Sequence, residues 1–324
     1  MNKRSSPHRD PHNYLYRGPR ATFVATQQAR QMLERRGTGL NWGLSEVDQY
    51  IISAMPGFLY VLVGRPGNGK TTTLLHLSRT FERGALDMKG VILYASWEVL
   101  VEEFAISRAS HLSGVSLFDL TRSGSDVMDR VESALVQEAL SPLVLFGRTN
   151  AGRGVGHMPT IPDLIEAMRT LQNEGVRVVA VLVDYLQRIP HPYRKSAERR
   201  EAVAENIQLL KDLAAMFTVP VFVAAQAGRE VDQQRGIRHA SLRNVQWSSD
   251  VEQTADVVVS VTMPGTYLDD GEEISVNGEI FLVQRNMLSF RVLKQRYGPA
   301  GRTFLVGVDA ATGRLYDDNF VTPY

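Results

Sequence analysis

The stretch Gly64-Arg65-Pro66-Gly67-Asn68-Gly69-Lys70-Thr71 fits G-x-x-x-x-G-K-[ST], and its setting restricts the chain more than any other feature. Phe58-Leu59-Tyr60-Val61-Leu62-Val63 precedes it as a short apolar run, and Lys70 to Phe81 follows with helical character. Strand, glycine-rich loop, helix is the order that presents backbone N–H groups and a helix N-terminus to phosphate. The glycines permit close backbone approach, Lys70 reaches the β- and γ-phosphates, and the Thr71 hydroxyl ligates magnesium. Residues Gly64 to Thr71, with Thr72 next in the helix, are therefore expected to hold ATP and Mg2+.

Other apolar runs are expected as strands: Gly90 to Ala95, Leu143 to Phe146, Val176 to Val183, Val219 to Ala225, Ala255 to Val261, Glu279 to Val283, Phe290 to Leu293 and Thr303 to Val308. Several are continuously apolar, as strands of a parallel sheet covered on both faces must be. Helical stretches alternate with them: Val99 to Leu112, Asp126 to Leu140, Ile161 to Glu174 and Ala197 to Phe217. The expected fold is α/β, a doubly wound, mostly parallel sheet with the late strands as an antiparallel edge. Hydrophobic residues make up 44% of the 324-residue chain, enough to bury the core of one large domain. Residues Met1 to Arg20 hold three prolines, two histidines and five Lys or Arg, and read as a basic arm. Thr22 to Arg36 reads as a separate docking helix, stopped by Gly37 and Gly39; its plainer alternative is a first helix packed on its own domain. The expected division is 1–37, arm and linker helix, and 38–324, the nucleotide-binding domain.

Net charge is only +1, so nucleic-acid contact requires local basic clusters. The absence of cysteine removes disulfides, thiolate zinc sites and cysteine nucleophiles, and fits a reducing compartment, of which the cytoplasm is the simplest. None of the seven histidines stands at a metal-binding spacing. Of the three tryptophans, Trp42 and Trp97 are expected as core or loop anchors, with Trp247 the one candidate for base stacking.

A phosphate-binding loop of this kind needs a carboxylate from a neighbouring apolar strand to hold the magnesium shell. Val178-Val179-Ala180-Val181-Leu182-Val183-Asp184 supplies Asp184, whose alternative role is a helix cap or turn. Glu98, at the end of the run Gly90 to Trp97, is the candidate to activate the attacking water; a first-turn helix glutamate is the plainer reading.

These residues resemble the DnaB-type hexameric replicative helicases, within the RecA-like P-loop ATPases. The resemblance runs from about Gly37 to Phe320. Thr38 to Asp48, followed by Pro56-Gly57, looks like the family's lead-in to the loop. Tyr94-Ala95-Ser96-Trp97-Glu98 resembles the segment with its catalytic glutamate, and Val183-Asp184-Tyr185-Leu186-Gln187 its Asp-Tyr-Leu-Gln signature. Val223 to Arg229 is similar to the sensor strand, whose glutamine is Gln226 here. Val251-Glu252-Gln253-Thr254-Ala255-Asp256 matches a Glu-Gln-x-Ala-Asp stretch, and Leu293-Lys294-Gln295-Arg296-Tyr297-Gly298-Pro299 a Lys-x-Arg-x-Gly-Pro hairpin. The resemblance implies a RecA-like fold, ATP hydrolysis, 5′ to 3′ unwinding in DNA replication, and a ring, with Lys294 and Arg296 reaching the γ-phosphate of the adjacent subunit.

The resemblance also implies single-stranded DNA in the channel of a homohexamer, with a loader or primase as further partners. The candidate DNA-facing segment, Asp232 to Asp250, carries Arg235, Arg238, Arg243, Asn244 and Gln246, donors suited to phosphates rather than to base edges. The chain departs from the family in three ways. The spacing from Arg243 to Val251 is long; Glu279 to Arg291 adds a strand-like piece that makes Arg285 a rival finger, closer to the phage primase-helicases; and no counterpart of the helical N-terminal domain is expected, as in a minimal phage or plasmid helicase. The alternative function is a RecA-like regulatory or recombination ATPase that assembles without unwinding DNA.

Overall fold

The computed structural model describes residues 40–120, 125–148, 158–194, 198–234, 236–244, 248–318 and 320, all within one compact unit, Gly39–Tyr324. The arm and the Thr22 to Arg36 helix lie outside the described residues.

In chain order the helices are α1 (Ser45–Tyr50), α2 (Lys70–Asp87), α3 (Val101–Ser113), α4 (Leu117–Leu120), α5 (Ser125–Glu138), α6 (Ile161–Asn173), α7 (Arg199–Phe217) and α8 (Ser248–Thr254). The strands are β1 (Leu59–Gly64), β2 (Val91–Ser96), β3 (Leu143–Gly147), β4 (Val178–Asp184), β5 (Val221–Gln226), β6 (Val257–Thr262), β7 (Glu273–Val276), β8 (Glu279–Leu282), β9 (Met287–Gln295), β10 (Thr303–Asp309) and β11 (Arg314–Tyr316). Nine of them form one sheet in the order β11-β10-β9-β6-β1-β5-β4-β2-β3. From β6 to β3 every pairing is parallel, while β9, β10 and β11 add antiparallel strands at one edge. The doubly wound, mostly parallel α/β architecture expected from the sequence is the one found.

Every residue of β1 is buried, because its pleat sends alternate side chains into two separate layers. Leu59, Val61 and Val63 join Val181, Val183, Val221 and Val223 beneath α6 and α7, which contribute Leu164, Met168, Ile207, Leu210 and Leu213. On the other face Tyr60 stacks on Phe222 with ring centroids 4.3 Å apart, and Phe81 of α2 meets Phe222 edge-on at 5.4 Å. Trp42 closes that layer against Phe222 and Phe290, at 5.9 and 5.8 Å. Trp42 and Trp97 are thus core residues, as expected; Trp247 lies outside the described residues.

One departure concerns residues 269–287. Glu279–Leu282 does not join the main sheet but pairs with β7 in a separate two-stranded hairpin. Asn277 and Gly278 make its turn, both with positive φ, the conformation an Asn-Gly hairpin turn requires. Ile274 and Val276, alternating with exposed residues, cover Met287 and Phe320 in a small core of their own.

Candidate nucleotide site and subunit edge

The glycine-rich loop leaves the C-terminal end of β1 where three strands meet closely. Gly64 pairs with Gln226 of β5, and a Cβ on Gly64 would stand 2.4 Å from the Val261 carbonyl oxygen of β6, so only glycine fits. Gly69 begins α2 with φ of +81°, and a Cβ there would meet the Leu288 side chain at 2.6 Å. Asn68, only 1% exposed, fastens the loop to the end of β6. Its Oδ1 accepts from the Thr262 hydroxyl (2.8 Å) and the Met263 N–H (3.0 Å), and its amide donates to the Tyr267 hydroxyl (2.9 Å).

Pro66, Gly67, Gly69, Lys70, Thr71 and Thr72 line a cavity of about 390 Å³, and Glu98, Asp184 and Gln226 face them across it. Three different strands bring these groups together: β1 the loop, β4 Asp184, and β5 Gln226. Glu98 comes from the turn after β2, where the Trp97 N–H donates to the Asp184 carbonyl (2.7 Å) and the indole N–H to the Pro159 carbonyl (2.7 Å). Gln226 is set by Gln187, whose Oε1 accepts from the Gln226 N–H (2.9 Å) and whose amide donates to its carbonyl (3.3 Å). Arg65 is placed differently from its loop neighbours. Its carbonyl accepts from Lys70 Nζ (2.8 Å), but its guanidinium pairs with Asp232, at 2.8 and 3.0 Å.

Burial governs the electrostatics. It lowers the Lys70 ammonium to about 8, against the opposing pull of the Asp184 and Glu98 charges. Burial also raises the Asp184 carboxyl to about 6, helped by the Glu98 charge and opposed by hydrogen bonds from the Thr71 and Tyr94 hydroxyls. Two carboxylates thus face one lysine. A hydroxyl in contact with a buried carboxylate is an oxygen donor pair suited to a hard divalent cation, and Lys70 with the loop N–H groups is suited to phosphate. Mg2+ and a nucleotide triphosphate fit the residues present. Tyr94 and Gln187 are not singled out as site residues by the sequence; Asn68 is expected as part of the loop, but its long-range partners leave no local signal.

Lys294 and Arg296 lie at the other end of the sheet. Lys294 pairs with Val258, and the Arg296 N–H donates to the Asp256 carbonyl (2.8 Å), while Asp256 in turn donates to the carbonyl of Leu59, the first residue of β1. The loop starts at the last residue of β1, five residues farther at about 3.3 Å each, or about 16 Å away. Arg285 is at the opposite place, the cavity end, beside Gly265 and just before β9, whose Ser289 pairs with Thr262. Lys294 Nζ donates to the Glu252 (2.5 Å) and Ala255 (2.6 Å) carbonyls; burial lowers its pKa, with the Arg296 charge adding to the effect.

Of the expected DNA-facing residues, Arg238 lies over the Tyr267 ring at 4.5 Å and donates to the Asp232 carbonyl (2.7 Å). Arg243 is exposed in a short 3₁₀ turn, Leu242–Asn244. Arg235, Gln246 and the Asn244 side chain lie outside the described residues.

The family model of the DnaB-like helicase C terminal domain matches residues 39–312. The chain belongs to that family. A replicative DNA helicase DnaB of Haemophilus influenzae is 27% identical over 83% of this chain and 53% of its own length. One of Geobacillus stearothermophilus is 24% identical over 90% and 60%, and a probable plasmid replicative DNA helicase of Chlamydia psittaci is 27% identical over 68% and 46%. The chain thus spans about half to three fifths of these relatives. Among solved structures, a DnaB-like replicative helicase described with its interactions with primase aligns with a TM-score of 0.72 at 20% identity, covering 87% of this chain and 64% of that one. A separate ATPase domain aligns with a TM-score of 0.75 at 19% identity, covering 93% and 99%. Both carry the same fold.

Proposed function

We propose that this chain is an Mg-ATP-driven DNA helicase motor that translocates 5′ to 3′ on single-stranded DNA as a homohexameric ring during replication, in the cytoplasm. The observation that carries this reading is the division of the proposed catalytic groups between the two strand ends of one sheet. Lys70, Thr71, Glu98, Asp184 and Gln226 share one cavity, while the backbone of Arg296 lies about 16 Å and that of Lys294 about 10 Å back along the strands from the loop, a placement that suits a nucleotide bound by another subunit.

Mg2+, when bound, would supply positive charge to offset the charge that develops on the phosphates during transfer. Thr71 and Asp184 would hold the ion, and Lys70 lies against the same phosphates. Glu98, exposed on its turn above the cavity, accepts the proton of the attacking water. Gln226 begins the segment that leads through Asp232 to Arg235, Arg238, Arg243, Asn244 and Gln246. Nucleotide state is thereby passed to residues that track the DNA backbone. Residues 1–37 are read as arm and linker helix, docking on a neighbouring subunit, with 38–324 as the motor; a loader or primase is the further partner.

The test is unwinding of a forked duplex with ATP and Mg2+. The chain is expected to separate the strands with a 5′ single-stranded tail, and Lys70→Ala to abolish both unwinding and turnover while retaining the fold by circular dichroism. Robust ATP turnover on single-stranded DNA with no strand separation would replace this reading with the regulatory or recombination ATPase.

A further inference from the structure

We propose that Asp256 is a positioning residue for the finger arginine, holding Arg296 at the subunit edge and so controlling hydrolysis in the neighbouring subunit. This rests on the reading of Arg296 as a finger in trans.

The Asp256 side chain is 1% exposed, just before β6, and its two carboxylate oxygens have different surroundings. Oδ2 accepts from the Leu59 N–H (2.8 Å) and from Lys211 Nζ (2.5 Å), and Lys211 is itself fixed to the Gly57 carbonyl (2.8 Å). That oxygen is locked into the frame formed by β1 and α7. Oδ1 accepts no hydrogen bond among the described residues, and its ionic partner is the Arg296 guanidinium, with Nη1 at 3.1 Å. One oxygen therefore fixes the carboxylate, and the other faces the finger.

The finger is anchored at its root and open at its tip. The Arg296 N–H donates to the Asp256 carbonyl, but its side chain remains 54% exposed. Lys294 is committed elsewhere, with its ammonium on the carbonyls of Glu252 and Ala255 at the end of α8. Of these two cations, Arg296 is the one whose head group reaches solvent. An unrestrained arginine samples many rotamers, and a single carboxylate beside its guanidinium removes most of them before a neighbour's phosphate arrives. Without that carboxylate, Lys211 loses its ion-pair partner beside the arginine, and Lys294 loses one of the two negative charges that act on it.

The nucleotide site of an Asp256→Asn subunit is chemically complete, so its ATP affinity is expected to stay within about twofold. Turnover is expected to fall about ten- to a hundredfold, the cost of misplacing a catalytic group by about 1 Å. Mixing with Lys70→Ala subunits decides whether the defect acts in trans. In exchanged rings the Lys70→Ala neighbour presents a sound Arg296 to the sound loop of an Asp256→Asn subunit, and turnover is expected to recover. Arg296→Ala mixed with Lys70→Ala is the control. If the control recovers but the Asp256→Asn mixture stays inactive, Asp256 acts within its own subunit and the proposal fails. Wild-type turnover by Asp256→Asn alone overturns it as well. If the control itself does not recover, the finger reading fails and takes the proposal with it. Should Asp256→Asn not fold, Asp256→Glu, which keeps the charge and shifts it by one methylene, replaces it in the same mixtures with the same expected and overturning results.

Discussion

Single buried residues in this fold are defined by which partner occupies each of their atoms. His239 shows this most fully. It is buried between two strands, with Nδ1 3.2 Å from the Ser260 hydroxyl and Nε2 3.0 Å from the Ser289 hydroxyl. Ser260 Oγ already accepts from the Ala240 N–H, and Ser289 donates to the Phe304 carbonyl. Ser260 therefore donates to Nδ1 and Ser289 accepts from Nε2–H, which fixes one neutral tautomer. Burial first, and the Arg291 charge second, lower this imidazole from 6.5 to about 3. The unfolded chain takes up the proton and the folded chain does not, so the contribution to stability is complete above pH 6.5 and is lost as pH falls below it. The expected loss is about 1.4 kcal/mol per pH unit between 6.5 and 3. Urea unfolding midpoints collected from pH 7 to 4.5 measure it, and His239→Gln, neutral throughout, should show a shallower fall by that amount. Glu98 poses a different question at the same scale. Glu98→Gln keeps a cavity-lining amide in place of the base, so nucleotide affinity is expected to persist while turnover falls at least about a hundredfold. Equal turnover in both proteins would move the base elsewhere.

Among the elements, α2, α3 and α5 are joined by charge rather than by apolar contact alone. Arg108 of α3, fully buried, pairs with Glu138 of α5 through Nε (2.6 Å), with Glu82 of α2, and with the Ser78 hydroxyl (2.6 Å). Arg79 pairs with both glutamates as well. Arg108→Met removes the central cation and leaves two carboxylates sharing Arg79, so stability is expected to fall by about 3–5 kcal/mol. Chemical denaturation reads this directly, and a loss under about 1 kcal/mol would mean that water or Arg79 compensates. None of this network was legible in the sequence, because nothing local distinguishes Arg108 from an exposed helix arginine. What could be read was whatever leaves a local trace. β1, β4 and β5 are continuously apolar because both faces are covered, and the loop motif fixes where β1 must end. β7 escaped notice because acidic residues surround its only apolar pair, Ile274 and Val276, although Asn277-Gly278 is itself a strong hairpin signal. The short polar helix α8 gave no periodicity to detect. The cavity residues Lys70, Thr71, Glu98 and Asp184 were readable by motif and strand end and Gln226 through the family resemblance, whereas the staple from Asn68 to Thr262 spans 194 positions and exists only in the fold.

At the scale of the whole sheet, the two candidate fingers lie at opposite strand ends. Arg285 sits by Gly265 at the cavity end, and Arg296 by Asp256 at the far end. On the proposed reading, a side chain at the cavity end would act on its own subunit's nucleotide and one at the far end across an interface. Subunit mixing separates the two without any structure of the ring. Arg296→Ala alone is expected to bind ATP almost normally and to lose about 10³-fold or more in turnover, the scale on which a trans arginine neutralises transition-state charge. Mixed with Lys70→Ala, it should regain activity at each interface where its own sound loop meets the neighbour's Arg296. Arg285→Ala mixed with Lys70→Ala offers no such interface if Arg285 works in cis, since one subunit then lacks the lysine and the other a group beside its own nucleotide. Any defect of Arg285→Ala should therefore persist in the mixture. Rescue of Arg285→Ala together with persistent inactivity of Arg296→Ala, in rings shown to exchange subunits, would exchange their assignments. Full activity of both variants alone would remove the trans site and, with it, the coupling of hydrolysis to ring geometry.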